Sequence, residues 1–507
     1  MHMKILKYFC AVAFLMACGV VDMFATDIVI LHTNDTHSQI DPTDDGKGGI
    51  LRRKVLIDSV RNANDNVLLV DAGDRVQGTL YFNLYGGKVE CEFTNELGYD
   101  FVTIGNHELD NGIESLSSMV ESTNAKYISS NYDFTGLELS QKIAPYAIKE
   151  YDGKKIAFIA LTANPDGLIS YECYKGISYK DPLLTANTLA DDLKSQHGAD
   201  MVIALTHLGY RDEVANIGDS TLAVNSKNID IIIGGHSHVV VDPNDASCEF
   251  TNKVVNAVGD TVLVAQVGKS GVCVGEIKVD LDNLTATSKV YAIDSRYDKN
   301  IDNDLGAKIK QYRDGVNQLL TKPIAYVVNE LKKDEAPIEN FVCDMVYAQA
   351  AKLYGKEVDL AIVNKGGIRN SIPQGDFSIG AVMALLPFKN SITILEINGQ
   401  DLLDAFDVMA LRDGDCVSAQ VDAVYDATTK KCVSVKINGE EVEPSKTYIL
   451  ATIDYLANGG DYMSSLTNGR VLKTGEKVLY DEMIDYLQSQ ENPQINPSTK
   501  KRMRNNN

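Results

Sequence analysis

Short, nearly continuous apolar runs recur along the first part of the chain, separated by amphipathic segments. Such runs are typical of strands in a parallel sheet that is covered on both faces. The segments between them, such as 52–61 and 114–121, have helical spacing, and residues 261–282 alternate like antiparallel strands. The strand-like runs are residues 28–31, 67–70, 101–104, 156–161, 201–205 and 229–233. The pattern predicts an α/β layered domain with some antiparallel sheet near its end.

A second series of elements follows a change in composition. The chain turns polar near 295–304, a helical stretch covers 305–320, and Lys322-Pro323 ends it. New strands and helices then begin, in a unit large enough to fold alone. The predicted organisation is a leader at 1–25, a first domain at 26–300, a linker helix at 301–322, a second domain at 323–500 and a basic tail at 501–507. We interpret the basic run at residues 500–504 as a solvated end.

Composition and charge narrow the class of protein. A chain of 507 residues is too long to fold around a single hydrophobic core. Its content of 44% hydrophobic and 23% charged residues is typical of a soluble globular protein. The net charge of −22 disfavours binding to nucleic acid or to anionic membranes. Any site for phosphate esters must therefore attract them locally, with metals or arginines.

The N-terminus resembles an export signal. Lys4 and Lys7 precede an apolar run that reaches about Val21 and is too short to span a membrane. Two processing routes remain open: lipidation of Cys18 after a lipoprotein-like box, or cleavage after Ala25. Both place the protein outside the cytoplasm, in the periplasm or at the cell surface. No later stretch approaches the ~20 apolar residues of a transmembrane helix, so none is expected in the mature chain.

The spacing of the cysteines does not predict a disulfide framework. Of the 9 cysteines, Cys10 and Cys18 belong to the leader, and the others are widely spaced without a CxxC pattern. A disulfide scaffold and a thiolate zinc site are therefore disfavoured. Pairing of Cys416 with Cys432 stays open.

Five short polar motifs each follow one of the apolar runs. In layered α/β proteins, ligands bind beyond the carboxyl ends of the strands, which is where these motifs lie. The motifs hold five of the chain's 8 histidines, which indicates one site. They are Asp35-Thr36-His37, Gly73-Asp74, Gly105-Asn106-His107-Glu108, Thr206-His207 and Gly234-Gly235-His236-Ser237-His238. Each motif alone is more often a turn or a core residue, but five at successive strand ends favour a shared function.

The residue types fit two divalent cations. Imidazole, carboxylate and amide oxygen suit zinc, manganese, iron or cobalt. A carboxylate such as Asp74 can bridge two cations, and such a pair acidifies a water and clamps an attacked phosphoryl group. Asn106 offers a neutral oxygen, which keeps the site net positive for an anionic substrate.

The order of these motifs resembles that of the calcineurin-like metallophosphatases. The longer stretches 31–37 and 105–110 are similar to those of the bacterial UDP-sugar hydrolase / 5′-nucleotidase family. The resemblance implies an α/β fold, a four-layer α/β/β/α metallophosphatase sandwich at 26–300, followed by a smaller α/β nucleotide-binding domain at 323–500.

The resemblance also implies residue roles. His107 matches the catalytic histidine and Asp110 its partner, while His238 stands where many relatives have Gln. One metal would be held by Asp35, His37, Asp74 and His238, and the other by Asp74, Asn106, His207 and His236.

Motifs of the second domain resemble the family's nucleotide site. The resemblance implies that Phe388 and Tyr455 enclose a base, that Asp461 accepts from ribose hydroxyls, and that Asn364 and Arg369 meet phosphate or ribose. One departure concerns 332–334, Lys-Lys-Asp, where relatives place an arginine. Glu339 also stands where a small residue is usual.

The expected function is an exported phosphohydrolase that uses two divalent metal ions to release phosphate from nucleoside 5′-monophosphates. Its expected partner is the nucleotide substrate, without nucleic acid, and the oligomeric state stays open. One alternative is a pyrophosphatase for UDP-sugars or dinucleotides, or a cyclic-nucleotide phosphodiesterase. A thiosulfate-releasing relative on the same scaffold is a further one. The non-enzyme alternative is a surface binding protein with a dead phosphatase domain.

Overall fold

The computed structural model describes residues 27–213 and 216–506. The predicted export signal, with its two processing routes, lies outside the described residues. Among the helices that are described, none is long and apolar enough to cross a membrane.

The first domain contains two six-stranded sheets. In the first sheet, β1 to β4 run parallel, and β13 and β14 add antiparallel strands beside β1, in the order β14-β13-β1-β2-β3-β4. These strands are β1 (Asp27–Thr33), β2 (Val67–Asp71), β3 (Phe101–Thr103), β4 (Lys126–Ile128), β13 (Cys273–Asp280) and β14 (Thr285–Ala292). A separate two-stranded ribbon joins β5 (Tyr132–Asp133) and β8 (Ser178–Tyr179).

The second sheet has the order β11-β12-β10-β9-β7-β6, with four parallel central strands and an antiparallel strand at each edge. Its strands are β6 (Tyr146–Tyr151), β7 (Lys154–Thr162), β9 (Met201–His207), β10 (Ile231–Ile233), β11 (Lys253–Val255) and β12 (Thr261–Ala265). The helices are α1 (Ile50–Ala63), α2 (Leu80–Tyr85), α3 (Lys88–Leu97), α4 (Gly112–Ser122), α5 (Tyr171–Tyr174), α6 (Pro182–Ser195) and α7 (Asp219–Asn225).

Three apolar cores divide this domain into four layers. The central core lies between the sheets, where Ile30 and Val70 of the first meet Phe158 and Ile203 of the second. A second core packs α1, α3 and α4 on the outer face of the first sheet, and a third packs α6 and α7 on the second sheet. Because both faces of each sheet are covered, the parallel strands are apolar throughout, and the predicted α/β/β/α sandwich is confirmed.

Helix α8 (Asn303–Leu320) connects the domains and is held by the first one. The Tyr85 hydroxyl donates to the Tyr312 carbonyl over 3.0 Å, and Arg313 pairs with Asp41. At its far end the helix packs on α10 (Ile379–Leu385) of the second domain.

The second domain is a separate α/β unit with its own apolar core. Its largest sheet has the order β19-β16-β23-β18-β24, and smaller sheets of three and four strands flank it. The strands are β15 (Pro323–Val327), β16 (Leu360–Val363), β17 (Gly375–Ser378), β18 (Ser391–Asn398), β19 (Cys416–Val417), β20 (Val421–Asp426), β21 (Lys431–Ile437), β22 (Glu440–Glu441), β23 (Thr447–Ile453), β24 (Arg470–Val478), β25 (Gln494–Ile495) and β26 (Met503–Asn505). The other helices are α9 (Ala336–Tyr354), α11 (Gly399–Leu411), α12 (Asp454–Ala457) and α13 (Leu479–Gln488).

The interpretation of the basic run as a solvated end is wrong. Strand β26 pairs in parallel with β20 and so completes the four-stranded sheet. Arg502 is buried, and its guanidinium donates to both carboxylate oxygens of Asp344 at 2.7 and 2.6 Å and to the Val417 carbonyl at 3.0 Å. The density of charge in the run indicated a solvated end, but Arg502 is buried by partners that are distant in sequence.

We expect Arg502→Ala to destabilise the second domain by about 2–3 kcal/mol, because charge-assisted hydrogen bonds are lost and a buried carbonyl is left unpaired. Chemical denaturation measures the change. Lys500→Ala is the control, since its ion pair with Asp422 is exposed and contributes about 0–1 kcal/mol. Equal, small effects from both changes would contradict the structural role of Arg502.

Candidate active site

The five motifs meet where the two sheets of the first domain bring their carboxyl ends together. Asp35 and Asp74 follow β1 and β2, His207 is the last residue of β9, and His236 and His238 follow β10. Asp35 and His207 are fully buried, and Asp74 is 2% exposed. Buried carboxylates and imidazoles at this density require charge compensation.

One donor group consists of Asp35, His37 and His238. The Nε2 atoms of the two histidines lie 3.0 Å apart, and the Asp35 Oδ1 atom lies 3.8 Å from His37 Nε2 and 3.4 Å from His238 Nε2. The Nδ1 atom of His37 lies 3.2 Å from the Gln77 carbonyl oxygen. Nδ1 is therefore the protonated nitrogen, and Nε2 carries the lone pair.

A second donor group consists of Asp74, His207 and His236, with Asn106 beside it. The His207 Nε2 atom lies 3.0 Å from Asp74 Oδ2, and the His236 Nδ1 atom lies 3.0 Å from Asn106 Oδ1. Asp74 also lies near His37 in a third donor group, so it stands between the two sets.

His207 tests whether the donors fit a cation. Its Nδ1–H donates to the Ala72 carbonyl over 2.8 Å, so its buried Nε2 carries a lone pair, and that atom has no hydrogen-bond partner. Carboxylate oxygens of Asp74 and Asp35 lie 3.0 and 3.9 Å from that nitrogen. An electron pair in so negative a surrounding fits a divalent cation.

Most of these candidate ligands have an unusual backbone conformation. A positive φ is uncommon for residues other than glycine and clusters at functional sites. The candidate ligands with a left-handed backbone are Asp35, His37, Asp74, His236 and His238, at φ of 49°, 46°, 55°, 76° and 58°. The unusual backbone conformation therefore coincides with the candidate ligands.

His107 lies beside the donors. Its Nδ1 atom is 2.8 Å from Asp110 Oδ2, and its Nε2 atom is 3.9 Å from Asp74 Oδ2. Burial lowers the pKa of His107, yet the carboxylates of Asp110 and Asp74 raise it above the ordinary value overall. The predicted pairing of His107 with Asp110 is thus present in the structure.

A cavity of about 500 Å³ lies between the domains and opens onto these residues. Asn106, His107 and Asp110 line one wall, while Asp35 and His207 lie behind it. The opposite wall carries the predicted substrate residues Asn364, Arg369, Phe388, Tyr455 and Asp461.

Phe388 reaches across the cavity toward the donor groups. Its ring is stacked at 27° on His107 with 5.9 Å between the ring centroids, and the Arg369 guanidinium lies 5.6 Å from its centroid. Arg369 forms no ion pair with any described residue, and burial lowers its pKa. A half-buried, unpaired guanidinium facing a cavity is suited to an anion.

Tyr455 and Asp461 hold the two domains together at the other side of the cavity. The Gly167 carbonyl accepts hydrogen bonds from the Tyr455 hydroxyl at 2.8 Å and from the Asp461 amide at 2.7 Å. A Cβ on Gly167 would lie 2.7 Å from the Tyr462 ring. The Asp461 carboxylate also accepts from Asn364 Nδ2 over 2.8 Å. We call the two hydrogen bonds that the Gly167 carbonyl accepts from Tyr455 and Asp461 the Gly167 clasp.

The structure distinguishes two lysines that the sequence could not. Lys332 is exposed, whereas Lys333 is half-buried, and burial followed by the charge of Arg369 lowers its pKa. Its amide donates to Ser371 Oγ over 2.9 Å, next to the Leu331–Ile372 bridge. Only pairing between distant segments, which one sequence does not reveal, places Lys333 near Arg369.

The sequence interpretation assigned no role to Gln77, Glu213 or Glu108. Gln77 lines the cavity, and a Glu213 oxygen lies 3.6 Å from His236 Nε2. Glu108 is inside the quoted Gly-Asn-His-Glu motif, so its position was a usable hint. The described cysteines are all free, so the structure contains no bond between Cys416 and Cys432.

Comparisons with known proteins agree with this architecture. A family model of calcineurin-like phosphoesterases matches residues 28–240, and a model of the 5′-nucleotidase C-terminal domain matches residues 318–468. The chain is 28% identical to the trifunctional nucleotide phosphoesterase protein YfkN of Bacillus subtilis over 92% of this chain, but it spans only 34% of that protein.

Two further relatives match over most of their length. A snake venom 5′-nucleotidase of Naja atra is 28% identical over 86% of this chain and 90% of its own. The crystal structure of a 5′-nucleotidase precursor from Thermus thermophilus superposes with a TM-score of 0.82 at 26% identity, over 94% of this chain and 99% of that one. The expected enzyme class, a metal-dependent phosphoric ester hydrolase, is confirmed. The chain therefore combines a domain that matches the calcineurin-like phosphoesterases with a following domain that matches the 5′-nucleotidase C-terminal domain, as in the 5′-nucleotidases that it resembles.

Proposed function

We propose that this chain is an exported 5′-nucleotidase that uses two divalent metal ions to release phosphate from nucleoside 5′-monophosphates. One observation carries the proposal: two donor groups, with Asp74 near members of both, border a cavity whose opposite wall presents rings, an arginine and a carboxylate. Export rests on the sequence of the leader.

The two ions would be held by the residues that the motifs singled out. Asp35, His37, Asp74 and His238 would hold one, and Asp74, Asn106, His207 and His236 the other. When bound, the ions supply Lewis acidity toward the phosphoryl oxygens and acidify a water molecule.

The remaining side chains would bind and orient the substrate. His107, fixed by Asp110, would place a hydrogen-bond donor at the phosphoryl group, where it stabilises developing negative charge. Arg369 would hold phosphoryl oxygens from the other wall, with the positive charge of Lys333 nearby in place of the missing arginine.

Base and ribose recognition would belong to the second domain. Phe388 and Tyr455 would stack on the base, and stacking tolerates different bases because each has a π face. Asp461 would accept from the ribose hydroxyls, held in orientation by Asn364 and Tyr455. The Gly167 clasp would keep this wall opposite the ions and exclude water from the cavity.

A substrate panel with phosphate release tests the proposal. The chain is freed of metal with a chelator and reloaded separately with zinc, manganese and cobalt. We expect turnover only after reloading, with nucleoside 5′-monophosphates giving the highest kcat/KM. Full activity in exhaustively metal-free protein, confirmed by elemental analysis, would contradict the metal requirement.

The same panel separates the alternatives. Preference for UDP-sugars, dinucleotides or cyclic nucleotides would replace the monophosphate assignment with a pyrophosphatase or a phosphodiesterase. Release of thiosulfate would indicate the other enzyme class on this scaffold. Tight nucleotide binding without turnover under every metal would indicate a binding protein.

We expect Phe388→Ala to raise KM for AMP by about 5- to 100-fold, because stacking contributes ~1–3 kcal/mol per base. Hydrolysis of a small aryl phosphate should change little, because the ions act on the phosphoryl group. Steady-state kinetics with both substrates measures the difference. Tyr455→Ala should behave similarly, whereas Tyr455→Phe keeps the ring and tests the hydroxyl of the clasp alone. Equal losses for both substrates would mean that the rings only support the fold.

A further inference from the structure

Glu108 makes an unusual set of contacts directly behind the donor groups. Its side chain is fully buried and follows His107 in a short 3-10 turn. Oε2 accepts from the Asp74 amide at 3.0 Å and the Gly105 amide at 2.7 Å, and Oε1 accepts from the Arg75 amide at 2.9 Å. One carboxylate thus satisfies three backbone donors from the loops after β2 and β3.

These loops touch so closely that no other side chain fits between them. A Cβ on Gly105 would collide with the Asp74 carboxylate. The neighbouring His107 amide donates to Asp74 Oδ1 over 2.9 Å. Glu108 therefore holds the backbone amide of Asp74, and the amide of His107 holds its Oδ1 atom. The Oδ2 atom of Asp74 is left facing His207.

The loop that Glu108 fixes also holds two members of the other donor group through hydrogen bonds. The amides of Asp35 and His37 donate to the carbonyls of Gly73 and Asp74 at 2.9 and 3.0 Å. Asp74 has a φ of 55°, so its backbone needs support from its surroundings. A shift of residues 73–75 would therefore displace donors of both groups.

A buried arginine lies close to the Glu108 carboxylate. The buried Arg75 guanidinium lies near it, donates to the Tyr127 hydroxyl at 2.5 Å and to Thr94 Oγ1 at 3.1 Å, and lies 3.7 Å from Asp71. The three amide donors, at 2.7–3.0 Å, engage both oxygens of the Glu108 carboxylate.

We propose that Glu108 is a positioning residue for Asp74, so that metal affinity depends on a carboxylate that binds no metal. The inference rests on the proposed role of Asp74 as a ligand of both ions. Residues behind metal ligands typically change metal affinity by about 10- to 100-fold when they are replaced. In Glu108→Gln, the side-chain amide would present N–H groups to a backbone donor, and at least one of the three contacts would be lost.

Metal affinity measured against a competing chelator tests this, with manganese and zinc as the probes. We expect Glu108→Gln to bind both metals about 10- to 100-fold more weakly, yet to recover kcat to within a few-fold of wild type at saturating metal. The metal affinity of Glu108→Asp, whose side chain is shorter but still anionic, should lie between those of wild type and Glu108→Gln. This variant replaces Glu108→Gln if the latter does not fold.

Glu90→Gln is the matched control. Glu90 is another buried carboxylate near Arg75, but its side chain accepts no hydrogen bond from the backbone amides of residues 73–75 or 105. We expect it to bind metal like wild type. Wild-type metal affinity in the Glu108 variants, or an equal loss in Glu90→Gln, would overturn the inference. Absence of metal binding by wild type would instead refute the proposed function.

Discussion

Asp74→Asn is expected to lower kcat/KM by about 10³-fold or more and to reduce the bound content of both metals, the largest effect of any single ligand. Asp74 stands between the donor groups, and its Oδ2 atom lies 3.0 Å from His207 Nε2. The asparagine variant loses the negative charge of the carboxylate. Because the His107 amide holds the Oδ1 position, the NH₂ group would face the His207 imidazole. Elemental analysis and steady-state kinetics measure the two effects.

His238→Ala is the comparison for Asp74→Asn. His238 belongs to one donor group and is partly exposed, so its loss should weaken one site and leave the other occupied. A variant Asp74→Asn that keeps both metals and near-normal turnover would contradict the bridging role. Equal losses in both variants would show that the two sites depend on each other more than their geometry implies.

His107→Ala is expected to lower kcat by about 10²- to 10⁴-fold while metal content stays near that of wild type. Its ring lines the cavity, its Nδ1 atom is held by Asp110, and it is adjacent to the proposed ligand Asn106. Loss of the ring removes a group that meets the phosphoryl oxygens, but none of the proposed ligands.

Metal content separates this role from a structural one. If His107→Ala loses its metals, the ring supports the donor groups and the assignment fails. His197→Ala, a histidine near the surface of the same domain, should change neither quantity. Asp110→Asn should reduce kcat less than His107→Ala, because it only loosens the orientation of the imidazole.

The first domain and its site were predictable because their determinants are local. Apolar runs mark buried parallel strands, and the polar residues that follow them must meet at one edge, so Asp35, Asp74 and His207 could be brought together from sequence.

Features that depend on distant pairing were not predictable. The Gly167 clasp and the partners of Arg502 each join segments far apart in sequence. The position of Lys333 beside Arg369 belongs to the same class. A pattern of polar and apolar residues specifies which face is buried, but not which remote chain segment covers it.

The pairing of β26 with β20 also has a consequence for how the protein is made. Until residues 503–505 have been synthesised, β20 has an unpaired edge, and an unpaired edge is a template for aggregation. The first domain has a similar delay, because β1 must wait for β13 before both of its edges are paired. Long-range closure of this kind slows folding and prolongs the time in which strands are exposed. Nascent chains of this protein should therefore depend on chaperone holding at least until residues 503–505 have been synthesised.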